Sequence, residues 1–373
     1  MRRKLVPHLT VIGAAFAAMA GATQANAADI SRGYVINYMI PAMHTGNDKD
    51  ECPNGMNIDG PGLLERVVRE KGASEEEVKA AIDPDTFDMY KMGQLATFRG
   101  RKDGKPTDVF LHPLSNPEPM EFLQSKRGLG FNLDDKVTEQ DFIDPVTGET
   151  GINNQMSRIL GCTDANRGTP DSRGKGAAAD GGRRAGQAWL ISVDGADNLQ
   201  NDDSVTIRIS RAVQHVVRGS RGVQKDVTYT VDGTDPRMMK NVYRGRIKDG
   251  VFLSDQPVDF YMITSSGGYN EPEKFDDLKR SRLRIQFKAD GSLEAFLGGF
   301  EAIKMAYARK SMMRGIGEQT GNSSPGFYQA MVKLADTDID KDPKTGIRTR
   351  ISSTYQIGAI PAFVRIDKEK PTS

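Results

Sequence analysis

Histidine, tryptophan and cysteine are scarce in this chain: four, one and two among 373 residues. Each shortage removes a class of chemistry. Cys52 and Cys162 stand alone rather than in C-x-x-C pairs, which excludes zinc-ribbon spacing and covalent haem attachment. The histidines form no H-E-x-x-H, so the helical zinc-protease pattern is missing. There is no G-x-S-x-G to place a nucleophilic serine on a sharp strand-to-helix turn. There is no G-x-x-x-x-G-K-[ST] to cradle phosphates, and Gly315-Ile316-Gly317 lacks the third glycine of a dinucleotide turn. Neither sign of charge is in excess, with 51 Lys and Arg against 50 Asp and Glu. No overall field therefore draws nucleic acid or an anionic membrane to the chain.

What is present begins with an export signal. Arg2, Arg3 and Lys4 precede an apolar stretch from Val11 to Ala20, and Ala25-Asn26-Ala27 supplies a small-x-small cleavage site. That order and those lengths predict a secretory signal peptide over 1–27 and a periplasmic or secreted product. The apolar stretch is too short for a permanent anchor, and no transmembrane segment follows it. No cysteine stands at the cleavage site, so no lipid anchor is expected. Cleavage removes three basic and no acidic residues and leaves 28–373 with two net negative charges. In an oxidising compartment an even cysteine count predicts a Cys52–Cys162 disulfide, contributing about 4–5 kcal/mol through the long loop it closes.

Along the mature chain, residues 28–60 scatter Gly, Pro and Asn and read as irregular. Over 61–95, Leu63, Leu64, Val67 and Val68 recur at helical spacing, and Ser74 ahead of Glu75, Glu76 and Glu77 caps a helix start. Residues 99–150 are turn-rich and form a long ordered connection. Asn153 to Leu160 predicts a short helix stopped by Gly161, and 166–186 a basic, Gly/Arg-rich loop. From Gln187 the pattern changes. Ala188–Val193, Ser204–Ser210, Val227–Val231, Asn241–Ile247, Val251–Leu253, Val258–Thr264, Arg282–Lys288 and Ser292–Leu297 all read as strands. Asp249-Gly250 and Asp290-Gly291 are hairpin dipeptides. Helices are expected over Phe300–Met313 and Pro325–Ala335, then strands over 347–353 and 355–366. The class expected is mainly β (α+β). A helical and turn-rich region over 28–150 and a short helix and loop over 151–186 precede an antiparallel β-sandwich over 187–373.

Two sets of residues carry a resemblance. Gly130-Phe131-Asn132-Leu133-Asp134 runs through Asn153-Asn154-Gln155 to Leu160-Gly161-Cys162. Asp342-Pro343-Lys344-Thr345-Gly346 runs into Tyr355-Gln356-Ile357 and Pro361-Ala362-Phe363. Together they resemble a group of uncharacterised secreted bacterial proteins over about half the mature chain, a resemblance that implies no activity and no catalytic residues. In outline the β region also resembles lectin-type sandwiches, at the level of fold alone.

Three constellations invite chemistry. Asp336, Asp338, Asp340 and Asp342, two apart, could converge on calcium, although Lys341 and Ile347 stand where an EF-hand needs Gly and Glu. Asp194, Asp197, Asp202 and Asp203 form a weaker acidic loop. Met43-His44, Met89, Met92, Met238-Met239 and Met312-Met313 admit a copper reading, against the ordinary use of Met as core filler. Tyr269, in the polar loop Ser265–Asn270, is the ring best placed to stack on a ligand. Of the mature histidines, His44, His112 and His215, none comes with partners for a triad, and Glu294 stands alone on its strand. The reading is a non-catalytic periplasmic or secreted protein that binds a small ligand or a periplasmic partner. The alternatives are a hydrolase, glycan-acting, on a β scaffold, and a copper- or calcium-handling protein.

Overall fold

Period-two alternation is densest between residues 187 and 302, and there it builds most of a continuous antiparallel wall. The computed structural model describes residues 30–58, 60–83, 85, 94, 97–168, 187–220, 222–264, 274–311 and 323–366. The wall strands are β1 (Ile30–Pro41), β2 (Gln187–Ala196), β3 (Asp202–His215) and β4 (Val242–Lys248). They continue as β5 (Val251–Ser254), β6 (Lys274–Phe287), β7 (Leu293–Ala302) and β8 (Arg350–Arg365). In β3, Val205, Ile207 and Ile209 are buried while Thr206 and Arg208 are not; in β4, Tyr243, Gly245 and Ile247 are buried between exposed Arg244, Arg246 and Lys248. Phe252, Leu283, Ile285, Ala295, Leu297 and Ile357 join the same interior cluster. Each large apolar side chain so buried stabilises the fold by about 1.5–3 kcal/mol. At the β4–β5 turn Asp249 and Gly250 both take positive φ, 51° and 79°, as a two-residue turn matched to strand twist requires.

These strands do not stack as two sheets. Each pairs with its neighbour in sequence, and β1 closes the ring by pairing with β2 on one side and β8 on the other. The expected sandwich is therefore corrected to a closed eight-stranded antiparallel barrel with extra strands outside the ring. Many short strands joined by tight turns suit either architecture; the difference is whether first and last strands meet. Here Gly33 faces Ala362 and Pro41 faces Tyr355. A Cβ on Gly33 would lie 2.6 Å from the Ala362 carbonyl oxygen, so the seam admits no larger residue without shifting.

β1 lies within the stretch read as irregular. It is a strand because two partners accept its backbone, a long-range fact that its Gly and Asn conceal. β7 runs through Ala302, so Phe300 belongs to the wall rather than to a helix, and residues 347–353 and 355–366 contribute to one strand, β8. The fifth wall position is interrupted. β5 pairs with the second half of β6, and Val258–Thr264 pairs with its first half. The Asn241 side chain spans the gap in the β4 direction, its amide donating to the Tyr261 carbonyl and its oxygen accepting from the Tyr261 N–H, both at 2.7 Å.

Besides a single helical turn at Asp48–Glu51, the helices among the described residues are α1 (Gly60–Glu70), α2 (Glu75–Ile82), α3 (Gln155–Leu160), α4 (Ile303–Ser311) and α5 (Ser324–Leu334). α2 starts as expected: the Ser74 hydroxyl accepts from the Glu77 N–H while the Glu77 carboxylate accepts from the Ser74 N–H. α3, α4 and α5 share a second core of Met156, Ile159, Tyr307, Phe327 and Met331. Between β1 and β2 the chain makes a long excursion that holds α1 to α3 and packs on the outside of β7 and β8. The Phe131 ring sits where a Gly298 side chain would be, and the Thr354 N–H donates to the Asn154 side chain. Cys52 and Cys162 form the expected disulfide within this excursion, buried against Leu123, Phe142 and Ile152. Among the described residues no helix is long and apolar enough to cross a membrane. Along β4 the wall is apolar inward and charged outward, whereas outside β1, β2 and β8 a separate apolar cluster of Val35, Leu190, Tyr229 and Ala362 packs.

Candidate functional site

The outward faces of β5 to β8 carry a patterned grid. Register places Val251, Gln286, Glu294 and Gly358 in one row and Leu253, Arg284, Phe296 and Gln356 in the next. Where the excursion arches over this grid it leaves a cleft of about 1010 Å³. Val251, Arg284, Gln286, Glu294, Phe296 and Gln356 form its floor, and Met43–Gly46, Leu129, Pro145–Thr147 and Arg167 its roof and ends. Most of the lining is apolar, with a few polar side chains converging on it, the usual composition of a small-molecule site.

Arg284 is the fixed point of the floor. Its guanidinium lies 5.0 Å from the Phe296 ring centre and 5.6 Å from that of Phe131, and 3.3 Å from the Asp144 carboxylate. Burial pushes the Asp144 carboxyl up, but the Val146 and Thr147 N–H groups and Arg284 outweigh it and hold it below the usual carboxylate range. The same N–H groups shape the rim, because Asp144 Oδ1 accepts from Val146 at 2.8 Å and from Thr147 at 3.0 Å. Asp342 does this again in Asp342-Pro343-Lys344-Thr345-Gly346, accepting from Lys344 and Thr345. The Asp-Pro-x-Thr-Gly turn thus occurs twice, and at Asp144 it is put to use as the lip of a cleft.

Glu294 is held on two sides, by the Lys288 ammonium at 2.9 Å and by the Gln356 amide, which donates to it. The Glu294 carboxylate in turn raises the Lys288 pKa. Gln356 is buried, and with its amide nitrogen committed to Glu294 its Oε1 has no hydrogen-bond partner among the described residues. A buried acceptor left open costs about 1–3 kcal/mol unless a ligand or water donates to it. Arg167 is engaged by Glu51 at 2.9 Å at the far end. Glu294 is the single carboxylate among the described lining residues, whereas hydrolysis of a glycosidic bond between two carboxyl groups needs a pair.

The structure separates most of the residues singled out from sequence. Asp336 accepts from the Ser352 backbone and hydroxyl, Asp338 pairs with Arg348 and Lys341, Asp340 with Arg350, and Asp342 accepts from its own turn. Among the described residues no group of three or more His, Cys, Asp or Glu side chains is arranged to hold a metal. Tyr269, Met89, Met92, Met312 and Met313 lie outside the described residues. Met238 is buried, and His112 and His215 are exposed and apart from the cleft. Met43 and His44 do line the cleft, and Met43 is buried in the core that also holds Met156 and Met331. A second, smaller cavity of about 270 Å³ lies near the fully buried Glu301, to which the Tyr355 hydroxyl donates.

Arg284, Gln286, Phe296 and Gln356 were not singled out from sequence. A partial signal existed: the turn at Asp290-Gly291 marks the hairpin, but only with Ala289 included as a three-residue loop does counting outward pair Gln286 with Glu294 and Arg284 with Phe296. Comparison with protein-family models, curated proteins and solved structures finds no match to this chain.

Proposed function

We propose that this protein binds an amphipathic small molecule in the cleft between the β5–β8 wall and the excursion, and that it does so after export, in the periplasm or outside the cell. The observation that carries the reading is the cleft itself: about 1010 Å³, mostly apolar, with Arg284, Gln286, Glu294 and Gln356 on its floor. An apolar body would gain from leaving water, and the polar side chains of the floor would orient it. The lone, doubly held Glu294 favours binding over hydrolysis. Export is supported by the disulfide and by the signal pattern of residues 1–27.

The test uses the neutral fluorophore N-phenyl-1-naphthylamine, whose emission rises in apolar surroundings. Val146 is 83 % exposed on the rim, so V146W leaves the core untouched while filling the mouth. The wild type takes up the probe saturably and V146W takes it up at least tenfold more weakly. No saturable uptake, or equal uptake by both, overturns the reading.

A further inference from the structure

The outward face of β4 carries Arg244, Arg246 and Lys248 at alternate positions, all exposed, with Tyr243, Gly245 and Ile247 turned inward between them. Alternate residues of a strand stand about 6.8 Å apart on one face, so the three charges form a single file. Their neighbours differ from them in one respect. Arg208 pairs with Asp194, Arg282 with Asp135 and Arg284 with Asp144, each cation next to an acid. No ion pair or side-chain hydrogen bond engages Arg244, Arg246 or Lys248 among the described residues.

The file meets the edge of the cleft at its Lys248 end. Lys248 is the register partner of Val251, which lines the cleft, and Arg246 is the partner of Leu253, an apolar side chain 46 % exposed. Val251 leads in turn to Gln286 and Glu294 on the floor. From the floor outward, the surface therefore passes from apolar walls, across Val251 and Leu253, to two unpaired cations. In a chain whose net charge is close to zero, the described residues thus place three unpaired cations on the strand next to the cleft-lining β5.

We infer that the ligand is an amphipathic anion whose apolar body lies in the cleft and whose acidic group meets Arg246 and Lys248 at its mouth. The inference rests on the cleft reading above and adds the sign of the head group. A carboxylate, sulfate or phosphate would serve, since both cations are mobile on exposed stems and Arg246 offers a planar fork for two oxygens. Exposed charges contribute chiefly selectivity and association rate, which salt weakens.

Three probes with the same twelve-carbon chain separate the possibilities: dodecanoate, dodecyl maltoside and dodecyltrimethylammonium, each below its micellar concentration and each displacing N-phenyl-1-naphthylamine. Dodecanoate is expected to bind about tenfold more tightly than the other two at low salt, with the advantage shrinking at high salt. In R246E/K248E the order is expected to reverse, while uptake of the neutral fluorophore stays unchanged. Equal displacement by all three, or a carboxylate preference that survives R246E/K248E, overturns the inference and leaves the cleft reading standing. Failure of the wild type to take up the fluorophore overturns both.

Discussion

Breaking the Cys52–Cys162 bond should cost this protein more than any exposed substitution, and the size of the loss follows from topology. The bond spans 110 positions. In the chain-entropy treatment, releasing a loop of that length from the unfolded chain costs about 4.8 kcal/mol at 25 °C. Residues 28–373 unfold with an entropy of about 0.7 kcal/mol per kelvin, so the midpoint should fall by about 7 °C. The assay is thermal unfolding followed by far-ultraviolet circular dichroism and by fluorescence of Trp189, half-buried on β2 with Phe260 6.2 Å away. Two perturbations separate the bond from its packing: reduction keeps both sulfurs, and C52A/C162A removes them. Both should give a similar drop, C52A/C162A the larger because it also empties space beside Leu123, Phe142 and Ile152. The roof residues Leu129, Pro145, Val146 and Thr147 lie inside the released loop, so uptake of the fluorophore should weaken together with stability. A midpoint shift under about 2 °C in both forms would refute the reasoning, because it would mean that the bond restrains little of the unfolded chain.

Two titratable groups make opposite predictions. Burial, with the Asp134 charge nearby, pushes the Asp336 carboxyl up to about 6 against the hydrogen bonds from Ser352. A pKa raised on folding means that the folded state holds the proton more tightly, so this group's contribution is fully present below about pH 4 and is lost as pH rises through about 6. The shift corresponds to at most about 3 kcal/mol. Urea unfolding of the wild type and D336N between pH 4 and 7 should show the difference between them changing across that window, and a constant difference would contradict it. Glu118 is the reverse case. Burial raises its pKa, but the Arg99 guanidinium, Ser323 and Asn116 outweigh burial and hold it low, so its contribution is present at neutral pH and is lost in acid. Glu118→Gln leaves the buried Arg99 without the carboxylate that meets it at 2.6 Å and should cost about 3–5 kcal/mol in urea unfolding at pH 7. A loss under about 1 kcal/mol would show that the pair is not desolvated.

Much of this protein is legible in its residues one neighbourhood at a time. The strands β2 to β5, the second half of β6 and the start of β7, the Asp249-Gly250 turn, the cap at Ser74 and the stop of α3 near Gly161 follow from side-chain period, positive-φ chemistry and hydrogen bonds within a few positions. The Cys52–Cys162 disulfide is expected from an even cysteine count in a chain whose first residues read as an export signal. What the residues do not carry locally is closure. β1 looks irregular because its strand state depends on β2 and β8, more than 140 and 300 positions away, and a sandwich and a barrel share the same alternation until those edges meet. The cleft is decided at the same level. Arg284, Phe296, Gln356 and Val146 come from three strands and a distant turn, and none is unusual where it stands in sequence. Period and turn chemistry are short-range and written in order along the chain. A cavity is the space left between surfaces brought together by folding, and its shape exists only once those surfaces have met.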